Sequence, residues 1–125
     1  MKEENVVKEK SYKFALRIVK LHRFLIEERK EFILSKQLVR AGTSIGANVE
    51  EAVGGVSKND FAAKIGIAYK EARECHYWIR LLRDSEYLVA KEAASILADC
   101  EELLKLITSI LLTTKNLRKP NEPMQ

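Results

Sequence analysis

The chain has 125 residues, of which 46% are hydrophobic and 32% are charged, so it has the length of one domain and too much apolar content for a disordered chain. It contains only 5 glycines and 2 prolines, with both prolines in the last six residues, and this shortage of turn residues excludes an all-β fold. The net charge of +4 permits nucleic-acid binding without requiring it.

The first predicted helix covers about residues 6–28. Its main apolar stripe repeats every three or four residues, as a buried helix face requires: Phe14, Ile18, Leu21 and Leu25. A second apolar set, at seven-residue steps, lies on a different side: Tyr12, Val19 and Ile26. Since a helix in a monomeric bundle needs only one stripe, the second set predicts a further contact, such as one with another subunit.

The second predicted helix covers about residues 35–53, with Ser35 as its N-cap and the pair Gly54-Gly55 as a stop that can adopt the left-handed conformation. Gly42 and Gly46 lie within it, where each glycine costs about 1 kcal/mol relative to alanine. We interpret them as sites of close helix packing. A phosphate-binding glycine loop would need a preceding strand, which the sequence lacks.

A polar row on this helix steps by four, four and three residues: Arg40, Ser44, Asn48 and Glu51. If this face turns inward, these side chains need mutual hydrogen bonds, and we interpret the row as a buried structural network. The alternatives are a solvated face and, less favoured, a ligand site.

The third and fourth helices are predicted at about residues 58–83 and 89–116. Each carries a seam that alternates four- and three-residue steps, which is typical of near-parallel packing in bundles. The fourth also carries a neighbouring apolar row, which suggests subunit contacts: Ile96, Leu103 and Ile110. Short connections predict an all-α, antiparallel up-down-up-down bundle over residues 1–119, followed by a disordered tail at 120–125.

Catalytic and metal-binding patterns are missing from the sequence. The candidate metal ligands are His22, Cys75, His76 and Cys100, but no pair has the spacing of a known ligand motif. Both cysteines lie on apolar seams, where a thiol packs as a small hydrophobic group. We therefore expect no cofactor, no metal and no enzymatic activity. The absence of a signal segment and of a long apolar stretch predicts a cytoplasmic protein without membrane contact.

Basic residues gather on the first and third helices. On the first, they step along one face: Lys13, Arg17 and Lys20, with Arg23 nearby. On the third, Arg73 and Arg80 lie two turns apart, close to Tyr69 and Tyr77. Basic groups beside flat aromatic rings can hold phosphates and stack on bases, so these six basic residues are the predicted nucleic-acid contacts. The alternative is an ordinary solvated face.

Several motifs together resemble a known family. The main one runs from Ser35 to Ala52 and reads SKQLVRAGTSIGANVEEA; SKNDF at 57–61, AYKEARE at 68–74 and YWIRLL at 77–82 follow in order. The chain resembles the bacterial four-helix-bundle proteins encoded in intervening sequences of large-subunit rRNA genes. It is also similar to the accessory variability determinant protein of diversity-generating retroelements.

This resemblance covers about residues 8–117 and implies a homopentameric ring of four-helix bundles. In the retroelement relatives the ring binds nucleic acid and engages a reverse transcriptase, so the partners to expect are further copies of the chain, RNA or DNA, and a reverse transcriptase. The sequence favours a non-enzymatic oligomer that binds nucleic acid through basic residues. The alternative is a protein–protein scaffold or adaptor that binds no nucleic acid.

Overall fold

The structure, a computed structural model, describes residues 2–118 and the side chains of residues 2–114. Within that range it consists of four helices and no strands: α1 (Lys2–Glu27), α2 (Leu34–Val53), α3 (Lys58–Asp84) and α4 (Ala90–Arg118). Helix α1 begins four residues before its predicted start, and the other boundaries lie within two residues of the predicted ones. The tail predicted to be disordered, 120–125, lies outside the described residues.

The helices form an antiparallel bundle in which each packs against its neighbours in the chain, and α4 packs against α1 to close it. Helices α1 and α3 are diagonal to each other, as are α2 and α4, and in the described residues no Cα atoms of either diagonal pair lie within 8 Å of each other. The apolar stripes predicted from the sequence point inward, and the side chains at their centre are fully buried, including Ile18, Ile45, Ile79 and Ile107.

Helix α1 approaches α2 closely at the two glycines. A Cβ atom built on Gly42 would lie 2.7 Å from Cγ2 of Ile18, and one on Gly46 would lie 3.2 Å from the backbone oxygen of Ser11. Real Cβ atoms do not approach other atoms as closely as the first distance requires. The predicted role of these glycines in close helix packing is therefore confirmed.

The start of α2 differs from the prediction, because Glu31 and not Ser35 caps the helix. The Glu31 carboxylate accepts hydrogen bonds from the backbone N–H groups of Ile33, Leu34 and Ser35, at 3.2, 3.0 and 2.6 Å. The Ser35 hydroxyl lies inside the first turn and donates to the backbone oxygen of Glu31 at 2.6 Å. Burial of Glu31 raises its pKa, but these hydrogen bonds outweigh that effect and leave the pKa below its ordinary value.

The connection between α2 and α3 has a capped start of α3 and an end of α2 that differs from the prediction. Ser57 caps α3 by accepting a hydrogen bond from the backbone N–H of Asp60 at 3.0 Å. Gly54 follows the last residue of α2 but has φ −86°, and Gly55 does not have a positive φ either, so the helix ends without the left-handed glycine expected there.

The neighbouring apolar row on α4 is also placed differently from the prediction. Ile96, Leu103 and Ile110 are at most 5% exposed and belong to the core of the same chain. This row is thus used inside one bundle, and these three side chains supply no surface for a second subunit. The second stripe on α1 behaves otherwise, since Tyr12 is 60% and Val19 37% exposed.

Candidate nucleic-acid interface

The basic residues singled out in the sequence lie on two different sides of α4. Lys13 and Arg17 belong to the side where α1 packs against α4. Arg73 and Arg80 line a groove between α3 and α4. Because α1 and α3 lie diagonally across the bundle, these residues form two separate surfaces and not one patch.

At the side between α1 and α4, most of the positive charge is neutralised. Nη1 of Arg17 donates to Oδ2 of Asp99 at 2.7 Å, and its Nη2 donates to Oγ of Ser95 at 2.8 Å. Glu92 lies 3.5 Å from the same guanidinium. This set of contacts holds Arg17 in place and ties α1 to α4.

The neighbouring basic residues of α1 are neutralised by ion pairs only in part. Lys10 pairs with Glu102 of α4 at 3.1 Å, and Lys13 pairs with Glu9 of its own helix at 3.6 Å. Lys20 and Arg23 are exposed and make no ion pair with the described residues. Arg17, the central member of the predicted set, is therefore the one least available to a phosphate.

On the other side of α4, the groove between α3 and α4 has a volume of 790 Å³. Its α3 wall carries Arg73 and Arg80. Its α4 wall carries a basic residue and hydroxyl groups: Lys105, Thr108, Ser109 and Thr113. Among the described residues that line it, none is acidic.

The two arginines of the groove are positioned by aromatic rings and a histidine. The guanidinium of Arg73 lies 5.9 Å from the ring centre of Tyr69, and that of Arg80 lies 5.8 Å from the ring centre of Tyr77. Neither arginine pairs with a carboxylate in the described part of the chain. No carboxylate therefore competes with a ligand for direct contact with either guanidinium, and the closeness of the tyrosines predicted from the sequence is confirmed.

His76 connects the two walls of this groove. Its Nδ1 accepts a hydrogen bond from Nε of Arg80 at 3.1 Å, and its Nε2 lies 3.0 Å from Oε2 of Glu101 on α4. A neutral ring that accepts at Nδ1 carries its proton on Nε2, so Nε2 donates to Glu101. This arrangement fixes the ring and orients Arg80.

Sequence similarity assigns the chain to a known protein family. A sequence profile described as 23S rRNA-intervening sequence protein matches residues 3–109. The chain belongs to this family. Among solved structures, the chain is similar to a protein of unknown function from the S23 ribosomal protein family of Bacteroides thetaiotaomicron VPI-5482. The two are 50% identical with a TM-score of 0.86, and the match covers 87% of this chain and 97% of that one. No curated protein matches the chain.

The polar row of this intervening sequence protein does not form the inward network that we expected. Arg40 and Glu51 are exposed, while Ser44 and Asn48 are half-buried and hydrogen-bond to carbonyls of their own helix. Arg40 instead pairs with Glu71, at 3.2 Å, and with Glu74 of α3.

The far end of the row makes a second link between the same two helices, since Glu51 pairs with Lys64 at 2.8 Å. The row therefore links α2 to α3 through ion pairs at the surface.

The cysteines of this family member lie in its core. Cys75 and Cys100 are free and fully buried, and the Cys100 thiol donates to the backbone oxygen of Ala72 at 3.4 Å. The neighbouring Cys100 thiol and the apolar surroundings raise the pKa of Cys75, which keeps it protonated. Among the described residues, no three histidines, cysteines or acids are grouped around a possible metal position.

No helix in the described part of the chain has the length and apolarity needed to cross a membrane.

The sequence prediction missed the α4 wall of the groove. Lys105, Thr108, Ser109 and Thr113 follow helical spacing along one face, and this spacing is the signal that could have identified them. Acidic residues on the same helix obscured it, because residues 85–115 carry three basic and five acidic residues. In the structure, three of those acids face α1, where they neutralise Arg17 and Lys10.

Proposed function

We propose that this intervening sequence protein is a non-enzymatic protein that binds nucleic acid, with the groove between α3 and α4 as its interface. The observation that carries the proposal is the contrast in neutralisation on the two sides of α4. Arg73, Arg80 and Lys105 face one concave surface without a carboxylate partner in the described residues, beside three hydroxyl groups. Unpaired cations and hydroxyl donors are the groups that contact phosphates.

The test is a pair of charge-matched double variants. Arg73→Glu with Arg80→Glu should weaken binding of a labelled RNA or DNA oligonucleotide at least tenfold, as measured by fluorescence anisotropy. Lys13→Glu with Lys20→Glu changes the net charge equally on the α1 surface, and it should leave the affinity within about threefold. An equal loss in both variants would contradict the assignment to the groove.

Self-association is the second part of the proposal. Helix α1 presents Tyr12, Leu16 and Val19, which are 60%, 49% and 37% exposed, on the side opposite its core stripe. An apolar row at this position suits a contact with another copy of the chain. A ring, the assembly that the family resemblance implies, would repeat the basic groove and strengthen its field.

Light scattering tests the assembly directly. The unaltered chain should have the mass of an oligomer, and Leu16→Glu should reduce that mass while helical circular dichroism stays unchanged. A monomeric unaltered chain at micromolar concentration would overturn this part of the proposal.

The same exposed row supports a second candidate function, a protein–protein scaffold without nucleic-acid binding. The two functions differ in their response to salt. The proposed nucleic-acid binding should weaken steeply between 50 and 200 mM salt, whereas a scaffold should show no such binding at either concentration.

A further inference from the structure

The groove between α3 and α4 is elongated along the two helices. It extends from Tyr69 to Arg80 along α3, which corresponds to about 16 Å at the rise of an α-helix. Packed helices have axes about 8–10 Å apart, and the groove follows this seam. Half-buried side chains form its floor: Tyr69, His76 and Leu104.

Its polar groups lie on both walls and face the same strip. Arg73 and Arg80 are about 10 Å apart along α3, and Lys105 lies on the opposite wall. A ligand that contacts all three cations must therefore enter the groove and carry several negative charges along its length.

A single strand meets this requirement more fully than a duplex. A duplex is wider than its major groove, which alone is about 12 Å across, so it rests on the outer edges of the two helices and its phosphates reach the exposed arginines only from outside. The backbone of a single strand can lie along the floor and contact both walls.

The groove also offers apolar surface for a base. The Tyr69 ring is half-buried at one end, and Leu112 on the facing wall is 56% exposed. Unpaired bases stack on such side chains, whereas the bases of a duplex are already stacked on one another.

We infer that the ligand of this groove is single-stranded nucleic acid, with about five nucleotides held by each chain. This inference rests on the proposed function and specifies its ligand. The footprint follows from the groove length of about 16 Å and the ~3.4 Å per nucleotide of a stacked strand. Three cation contacts give an expected slope of about −2 for the logarithm of affinity against that of salt concentration.

The experiment uses the full chain with labelled 12-nucleotide RNA and DNA strands of unstructured sequence, and with the corresponding perfect duplexes. In fluorescence anisotropy at 50 mM salt, the single strands should bind at least tenfold more tightly than the duplexes. Among single strands of 3, 5 and 8 nucleotides, affinity should rise steeply up to about five nucleotides and only slightly beyond.

A substitution at the groove floor supplies a second, independent readout. Tyr69→Ala should weaken single-strand binding about fivefold or more, and Tyr69→Phe, which keeps the ring that stacks on a base and supports Arg73, should retain the affinity. An Arg73→Ala variant should instead lower the slope by about 0.7.

The outcomes separate the inference from the function on which it rests. If a duplex binds as tightly as a single strand, the single-strand inference is wrong while the proposed function stands. If neither binds, the proposed function is wrong as well. A footprint of ten or more nucleotides on each chain would overturn the assignment to this groove.

Discussion

The two sides of helix α4 carry similar basic residues but use them differently. Where α4 meets α1, Asp99 and Glu92 lie against Arg17. The positive charge of Arg17 is therefore neutralised by ion pairs that hold the two helices together. Where α4 meets α3, Arg73 and Arg80 lie over tyrosine rings, which orient a guanidinium without neutralising it. A row of basic residues on one helix therefore indicates a binding surface only when the neighbouring helix has no acidic side chains within ion-pair distance of that row.

The largest effect on stability should come from Arg17→Glu, because it reverses a half-buried charge that faces Asp99 and Glu92. We expect the free energy of unfolding to fall by about 2–3 kcal/mol, since a hydrogen-bonded ion pair is replaced by repulsion. Urea unfolding followed by circular dichroism measures it. Arg73→Glu, which reverses a charge on the other side of α4, is the matched control and should cost less than about 0.5 kcal/mol.

A change remote from both sides of α4 should lower stability without altering ligand binding. Glu31→Gln weakens the three backbone hydrogen bonds that cap α2, and we expect a loss of about 2 kcal/mol at pH 7. The pKa of Glu31 is lowered in the folded chain, so its stabilisation is present above the pKa of the unfolded chain. It is lost as the pH falls through the folded pKa.

The difference in unfolding free energy between Glu31→Gln and the unaltered chain should therefore shrink as the pH falls through the lowered pKa that Glu31 has in the folded chain. A difference that does not change as the pH is lowered would show that the charge of Glu31 does not carry the effect.

A smaller loss of stability is expected from a substitution where α1 approaches α2. Gly42→Ala places a Cβ atom against Ile18 and pushes α1 outward, which costs about 1–3 kcal/mol, while alanine regains about 1 kcal/mol of helix propensity. The net loss of about 1 kcal/mol should appear in thermal unfolding. Nucleic-acid affinity should not change, because the groove lies between α3 and α4; Gly66→Ala, where a Cβ atom meets nothing, should stabilise the chain.

The smallest effect on stability should come from the groove itself. Replacing Arg73 and Arg80 with alanine removes two charges that pair with no carboxylate in the described residues, so the unfolding free energy should change by less than about 0.5 kcal/mol. A loss above about 1.5 kcal/mol in urea unfolding would mean that these arginines hold the bundle together as Arg17 does, and the contrast between the two sides would disappear.

Much of the fold could be predicted from the sequence because helix formation and burial depend on spacing along the chain. The four- and three-residue steps of Phe14, Ile18 and Leu21 place them on one face whatever else surrounds them. The same holds for the glycines, since a helix without Cβ atoms at positions four residues apart admits a neighbour. The cap of α2 could not be predicted this way, because the path of the connection decides whether Glu31 or Ser35 reaches the first N–H groups.

The sequence by itself determined that this is a four-helix chain with basic residues on its first and third helices and no recognisable reaction chemistry. Only the tertiary structure decided which of those basic residues pair with a carboxylate and which do not, among the residues that it describes. Neutralisation depends on which acids of α4 face each neighbour, and this follows from the register and rotation of packed helices. That is why Arg17 and Arg73, alike in the sequence as basic helix residues, stabilise the bundle in one case and face an open groove in the other.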